Sequence, residues 1–149
     1  MVIVEIVNGH IELFPSNDDR NQDGAELTFN GRVRDTEHGK KIVALEYEQY
    51  KGMAEAELTT LAEETCKKYP INDLFCKHRM GKVEIGEMSL HVSIWSQHRK
   101  EAIEAMDCFI KELKKRVPIW KWAILSDGQK SLVSVSTDEK FILNCHPKC

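Results

Sequence analysis

The stretch that decides the fold runs from Met88 to Pro118 and reads MSLHVSIWSQHRKEAIEAMDCFIKELKKRVP. In its first eight residues, Met88, Leu90, Val92 and Ile94 alternate with Ser89, His91, Ser93 and Trp95, a period of two that predicts a β-strand. Ser96 can cap the N-terminus of a helix that begins there, and Pro118 stops that helix. The apolar stripe of the helix consists of Ala102, Ile103, Met106, Phe109, Ile110, Leu113 and Val117.

Upstream of this unit, the sequence predicts three strands and one more helix. Leu27, Phe29 and Val33 alternate with polar residues, and after a loop the alternation resumes. From Gly52 to Tyr69 the period becomes helical, and Pro70 ends the helix. Leu74 to Ile85 reads as extended chain interrupted at Gly81. The alternation after the loop is carried by Val43, Leu45 and Tyr47.

Downstream, Ile119 to Leu125 and Leu132 to Val135 read as strands joined by the Asp127-Gly128 turn. Strands and helices are interspersed, and clear alternation is typical of antiparallel strands with one solvated face. We therefore expect an α+β fold with a mixed, largely antiparallel sheet and two main helices. Residues 1–143 should form a single domain, followed by a loose tail at 144–149.

Composition excludes several classes of protein. The chain has 149 residues, a formal net charge of -3, and no apolar run near the roughly 20 residues that span a bilayer. A general nucleic-acid binder or a membrane protein is therefore not expected. Five cysteines without a paired framework favour reduced thiols and a cytoplasmic location. Cys145, His146 and Cys149 lack the second ligand pair that makes a zinc motif persuasive, so no metal is expected.

Basic residues cluster where predicted elements begin or end, which is where sites are usually built. Arg32 and Arg34 end a strand, and His98 and Arg99 open a helix whose free N–H groups already favour an anion. A solvated basic turn explains the second pair equally well. The pair His78-Arg79, before Gly81, either joins the basic site or ends a strand.

The segment Lys114 to Lys121, KKRVPIWK, is the most specific of these clusters. The helical phase assigned above places Lys114 on the border of the apolar stripe, where partial desolvation makes an amine a better base. The alternative is a lysine whose stem covers the core. Pro118 and Trp120 would hold Lys121 in place at the start of a strand, although Trp120 could equally be an ordinary core residue.

Taken together, five motifs resemble the large, catalytic subunit of molybdopterin synthase in order and spacing. The resemblance extends from about Gly24 to Lys121, most of the chain. The motifs are GRVR at Gly31 to Arg34, LEYEQY at Leu45 to Tyr50, HRMG at His78 to Gly81, SQHR at Ser96 to Arg99, and LKKRVPIWK at Leu113 to Lys121.

The resemblance implies a sulfurtransferase of α/β-hammerhead type that needs no metal or organic cofactor. In this family a homodimer of large subunits binds two copies of a small ubiquitin-like sulfur carrier, which makes a heterotetramer. A thiocarboxylate on the carrier's Gly-Gly tail donates sulfur to cyclic pyranopterin monophosphate, which becomes the molybdopterin dithiolene. Lys114 and Lys121 match the catalytic lysines, and Arg34, His98 and Arg99 match the substrate-binding positions.

A noncatalytic relative that binds a ubiquitin-like protein or a phosphorylated ligand as a scaffold is the alternative. Two departures from the family pattern bear on this choice. Trp122 and Ala123 replace the basic residue and the glutamate that usually follow the PIWK motif, and no arginine occurs beyond Gly128. Lys130 or Lys140 could substitute for that arginine.

Overall fold

A computed structural model describes residues 1–15, 18–50 and 52–135. These residues form ten strands and two helices. In chain order the elements are β1 Val2–Val7, β2 Ala25–Arg32, β3 Thr36–Glu37, β4 Lys40–Lys41, β5 Ala44–Gln49, α1 Met53–Lys68, β6 Ile71–Arg79, β7 Gly81–Glu84, β8 Met88–Ser96, α2 Arg99–Arg116, β9 Ile119–Ile124 and β10 Lys130–Val135.

The larger sheet has the strand order β1-β6-β8-β2, with β1 parallel to β6 and the other pairs antiparallel. Both helices contact this sheet, and the main core lies where their apolar residues meet it. The alternation of β8 supplies this core, because Leu90, Val92 and Ile94 all point toward the helices. Phe109 of α2 and Leu58 of α1 are fully buried against them.

The other face of the larger sheet was expected to be solvated, and for β8 this prediction is wrong. Ser89, His91, Ser93 and Trp95 are all buried. The chain between β1 and β2 covers them: the Phe14 ring lies 5.4 Å from that of His91, and the Arg20 guanidinium lies 3.9 Å from the centroid of Trp95. Alternation predicted the strand correctly, but it could not predict what a distant loop would cover.

The smaller sheet has the order β10-β9-β5-β7 and is antiparallel throughout. A second core packs against it, formed by Val33, Ile42, Leu45, Val83 and Ala123. The two strands predicted on either side of the Asp35 to Lys40 loop, β2 and β5, exist but lie in different sheets. The loop between them contains the short β3–β4 hairpin.

The helices agree with the prediction except for the residue that caps α2 and one residue of its apolar stripe. Helix α1 ends before Pro70, and α2 ends at Arg116, before Pro118. Ser96 does not cap α2, because it pairs with Ala25 and Ile71 as the last residue of β8 and leaves His98 as the N-cap. One residue of the predicted stripe of α2 is wrong, because Ile103 is 54% exposed, whereas Ala105 and Glu112, which were not assigned to the stripe, are buried.

The α+β class with a mixed, largely antiparallel sheet arrangement and two main helices is confirmed. A single domain over residues 1–143 stays a prediction, and the tail at 144–149 lies outside the described residues. Reduced thiols are confirmed for Cys66 and Cys76, which are free, whereas Cys108 is disulfide-bonded and contradicts that expectation. Neither described helix is long and apolar enough to cross a membrane.

Candidate active site

Lys121 occupies the third position of β9 and has the best-defined surroundings of the predicted site residues. Its neighbours on the same strand face, Ile119 and Ala123, are buried in the two cores. Its side chain is about one quarter exposed, and its Nζ lies 3.5 Å from Oε1 of Glu37. The prediction that this part of the chain is rigidly placed is consistent with these contacts.

Directly across from Lys121, on the adjacent strand β5, lies Tyr47. Burial raises the pKa of the Tyr47 phenol, and the negative charge of Glu37 raises it further, while a hydrogen bond with the Ser89 side chain opposes the change. The Tyr47 phenol therefore stays protonated at neutral pH. Tyr47 and Glu37 were not singled out from the sequence as site residues.

His78 and Arg79 end β6, and in the described part of the chain neither forms a hydrogen bond or ion pair with a predicted site residue. His78 is buried, and burial lowers its pKa to about 4, so the imidazole is neutral at physiological pH. Its Nδ1 lies 3.0 Å from the Arg79 carbonyl oxygen, and its ring meets that of Tyr47 edge-on. The Arg79 guanidinium contacts Glu87 and donates to the Lys82 carbonyl. Of the two open alternatives, the strand-ending role is the one that these contacts support.

His98 and Arg99 lie at the N-terminus of α2, as predicted, and both are exposed. His98 is the N-cap, and its side chain accepts no capping hydrogen bond from the helix. The first N–H groups of an α-helix have no partner within the helix and carry the positive end of its dipole. This end of α2 therefore combines two basic side chains with free backbone donors.

Arg32 and Arg34, although two residues apart, have different surroundings. Arg32 donates from Nη1 to the Gly86 carbonyl at 2.7 Å, which ties the end of β2 to the turn before β8. Arg34 is exposed and forms no salt bridge or side-chain hydrogen bond within the described part of the chain. Arg34 is therefore free to bind an anion, whereas Arg32 has a structural contact.

Lys114 is exposed, so the prediction that it is partly desolvated is wrong. The error follows from Ile103, which had been assigned to the apolar stripe. Lys114 lies eleven residues after Ile103, about three helical turns, and shares its outward face. Leu113 and Glu112 are the residues that point inward at this end of α2.

A single chain does not bring all the predicted site residues together. Arg34, Lys114 and Lys121 form one group, and His98 and Arg99 form the other. Arg34 lies three residues before Glu37, which contacts Lys121, so these belong to one region. Arg99 and Lys114 lie at opposite ends of α2, and a rise of about 1.5 Å per residue separates their backbones by about 22 Å. Lys114 is close in sequence to Lys121, with Val117 and Pro118 between them.

Other features of the described residues lie away from these groups. A cavity of about 110 Å³ between α1 and α2 is lined by Leu61, Thr65, Arg116 and their neighbours, and by none of the predicted site residues. No group of three or more His, Cys, Asp or Glu residues in the described chain could hold a metal ion. Lys130, one proposed substitute for the missing arginine, is paired with Glu46, and Lys140 lies outside the described residues.

Comparisons with known proteins place this arrangement in a family. The family model described as MoaE protein matches residues 7–116. The molybdopterin synthase catalytic subunit of Thermoplasma volcanium is 45% identical over 108 residues, which cover 72% of this chain and 79% of that protein. A crystal structure of molybdopterin synthase from Staphylococcus aureus superposes with a TM-score of 0.75 at 36% identity, covering 85% of this chain and 93% of that one.

A more distant structure shares the fold alone. It is a protein–protein complex of subunits 1 and 2 of the molybdopterin-converting factor from Helicobacter pylori, with a TM-score of 0.69 and 21% identity over 90% of this chain and 92% of that one. The family match and the identity to the archaeal relative decide the classification. The chain belongs to the MoaE family of molybdopterin synthase catalytic subunits, which confirms the family and the enzyme class predicted from its motifs.

Proposed function

We propose that this chain transfers sulfur from a thiocarboxylated carrier protein to cyclic pyranopterin monophosphate, producing the dithiolene of molybdopterin. One observation carries the proposal beyond family membership. Arg34, His98, Arg99 and Lys114 are all exposed, and none forms a salt bridge or side-chain hydrogen bond with a described residue. In a chain of net charge -3, these unpaired basic side chains favour anionic ligands locally.

Both substrates are anions, so the same basic side chains suit each of them. Arg34, His98 and Arg99 would bind the phosphate and the pterin through charge-assisted hydrogen bonds. Lys114 and Lys121 would move protons and stabilise charge while the carbon–sulfur bond forms at the pterin and the acyl–sulfur bond of the carrier breaks. The carrier leaves with an ordinary carboxylate after hydrolysis, and a second carrier supplies the second sulfur.

The separation of about 22 Å along α2 supports a homodimer as the working unit. A small substrate cannot contact both ends of that helix, but a second copy can bring its His98 and Arg99 toward the lysines of the first. The outward face of α2 is suited to a partner, because Ile103 is more than half exposed there and Lys114 lies on the same face. A partner on this face would also desolvate Lys114, which the isolated chain leaves exposed.

The small ubiquitin-like carrier is the second proposed partner, and two copies on the homodimer make a heterotetramer. Support comes from the Helicobacter pylori fold relative, whose structure is a complex of two subunits of molybdopterin-converting factor. The carrier's C-terminal tail would reach Lys121 beside the β3–β4 hairpin. We place the reaction in the cytoplasm, as predicted from the sequence.

The test reconstitutes the chain with a thiocarboxylated small subunit and cyclic pyranopterin monophosphate, and measures the dithiolene product. Lys114→Ala and Lys121→Ala should each lower turnover at least about 100-fold, the scale of a lost acid–base group. Lys111→Ala is the matched control, because Lys111 lies on the same helix in an exposed ion pair with Asp107. Its turnover should equal that of the unmodified chain.

Two outcomes would contradict the proposal. A wild-type chain that forms the partner complex yet makes no dithiolene would be the scaffold alternative rather than the enzyme. Normal turnover in Lys114→Ala and Lys121→Ala would show that the enzyme uses other residues. Analytical ultracentrifugation of every variant checks that the assembly with the small subunit is unchanged.

A further inference from the structure

We infer that Glu37 is a positioning residue for Lys121, a role that rests on the proposed function of that lysine. Glu37 is the last residue of β3, in the hairpin that precedes β5. Its Oε1 lies 3.5 Å from Lys121 Nζ, and the two residues are far apart in sequence. Of the five predicted site residues, Lys121 alone has a carboxylate partner among the residues that the structure describes.

The burial of this pair separates it from ordinary surface ion pairs. The Glu37 side chain is only 12% exposed and that of Lys121 27%. Exposed pairs hold their side chains weakly, because water and salt screen the attraction. The Glu46–Lys130 pair on the same sheet provides a comparison, since its lysine is 48% exposed. The Glu37 contact is the more shielded of the two, whereas the Glu46–Lys130 pair is the shorter one and is also a hydrogen bond.

Lysine needs such a constraint if its amine is to act at one place. Its stem has four rotatable carbon–carbon bonds, and fixing them costs up to about 2 kcal/mol of rotamer freedom before any reaction begins. The strand fixes only the start of this stem, between Ile119 and Ala123. Tyr47 is the residue paired with Lys121 on the adjacent strand, and Glu37 lies within ion-pair distance of the ammonium at the far end of the stem.

The same contact joins Arg34 to the lysine. The chain leaves β2, passes Arg34, and enters the hairpin, where the Ile42 amide donates to the Asp35 carbonyl at 3.0 Å. The hairpin turns at His38 and Gly39, both with positive φ, so its path is tightly defined. By binding Lys121, Glu37 attaches this hairpin to β9. This carboxylate therefore adds a side-chain link between the segment of a predicted anion-binding residue and a predicted catalytic residue, beside the backbone hydrogen bond from the Val43 amide to the Ile124 carbonyl.

The experiment measures turnover of the reconstituted complex for Glu37→Gln, which keeps the size of the side chain and removes its charge. We expect kcat to fall about tenfold, while KM for the pterin changes less than about twofold, because positioning acts on the reacting state. Glu37→Asp should recover part of the loss, since it restores the charge. Glu46→Gln is the matched control and should retain normal kcat.

A double-mutant cycle decides whether Glu37 acts through Lys121. Glu37→Gln should have no further effect in a Lys121→Ala background. A normal kcat in Glu37→Gln would overturn the inference, as would an equal loss in both backgrounds. If kcat in Glu37→Gln and Glu37→Asp simply follows the melting temperature of each variant, the hairpin contact is structural and the inference fails. Undiminished turnover in Lys121→Ala would instead contradict the proposed function itself.

Discussion

The chain contains two His-Arg pairs, and their surroundings differ completely. His78 and Arg79 end β6, where both are buried; the His78 imidazole contacts the Arg79 carbonyl, and the Arg79 guanidinium contacts Glu87 and the Lys82 carbonyl. His98 and Arg99 open α2, where both are exposed and their side chains contact no described residue through a salt bridge or hydrogen bond. The comparison teaches that only the second pair keeps its side chains available to a ligand, and it is this pair that we propose as a binding site.

The largest expected effect concerns the exposed pair. The double substitution His98→Ala with Arg99→Ala should lower kcat/KM for the pterin substrate about 100-fold or more, because two charge-assisted hydrogen bonds to an anion are lost. The free energy of unfolding should stay unchanged, since neither side chain has a contact to lose. Steady-state kinetics and urea unfolding of the same preparation check both statements. A large loss of stability with normal kcat/KM would show that the exposed pair stabilises the fold and does not bind the substrate.

The buried pair should instead make the free energy of unfolding depend on pH, through His78. The folded pKa of His78 is about 4, below the roughly 6.5 of an unfolded imidazole, so the unfolded chain binds the extra proton between these values. The free energy of unfolding should therefore rise by up to about 3 kcal/mol as pH increases from 4 to 6.5. Above that range His78 should cause no further change. Urea unfolding from pH 4 to 8 measures this slope.

The contribution of His78 can be isolated with His78→Asn, whose amide can still donate to the Arg79 carbonyl but does not titrate. The slope between pH 4 and 6.5 should become smaller in this variant. It should not vanish, because burial and the nearby charge of Lys77 also lower the pKa of His91. An unchanged slope would show that His78 is not responsible.

A smaller loss is expected for Arg79→Ala. This change removes the contact with Glu87 and the hydrogen bond to Lys82, and it should destabilise the fold by about 2 kcal/mol. Turnover should remain within about threefold of normal, since Arg79 binds no substrate in our proposal. Thermal unfolding and steady-state kinetics measure the two quantities. A tenfold fall in kcat/KM at unchanged stability would place Arg79 in the site.

The smallest effect is expected for Lys100→Ala, next to Arg99 on α2. Lys100 is exposed and basic, like its neighbours, but we assign it no role. Both turnover and stability should match the unmodified chain, since surface substitutions of this kind usually change stability by less than about 0.5 kcal/mol. A loss comparable to that of the His98 and Arg99 variant would mean that general positive charge, rather than two particular residues, binds the substrate.

The candidate site was predictable as a set of residues but not as an arrangement. The motifs predicted Lys114, Lys121, Arg34, His98 and Arg99 as site residues, because a motif is a set of residues in a fixed order along the chain. Glu37 carried no comparable signal, since its contact with Lys121 depends on a hairpin that folds back onto β9. The desolvation of Lys114 was predicted wrongly because a single exposed isoleucine, Ile103, shifted the inferred phase of α2.

The sequence by itself determined most of the elements of this protein, although not β1 or the β3–β4 hairpin. Alternation defined β8, helical spacing defined α1 and α2, and Pro70 and Pro118 ended the helices, because these signals act within a few residues. Tertiary structure decided which faces are covered. Only the folded chain separates β2 and β5 into two sheets, covers Trp95 with Arg20, and buries one His-Arg pair while exposing the other. The physical reason is that burial depends on contacts between distant segments, which local periodicity does not record.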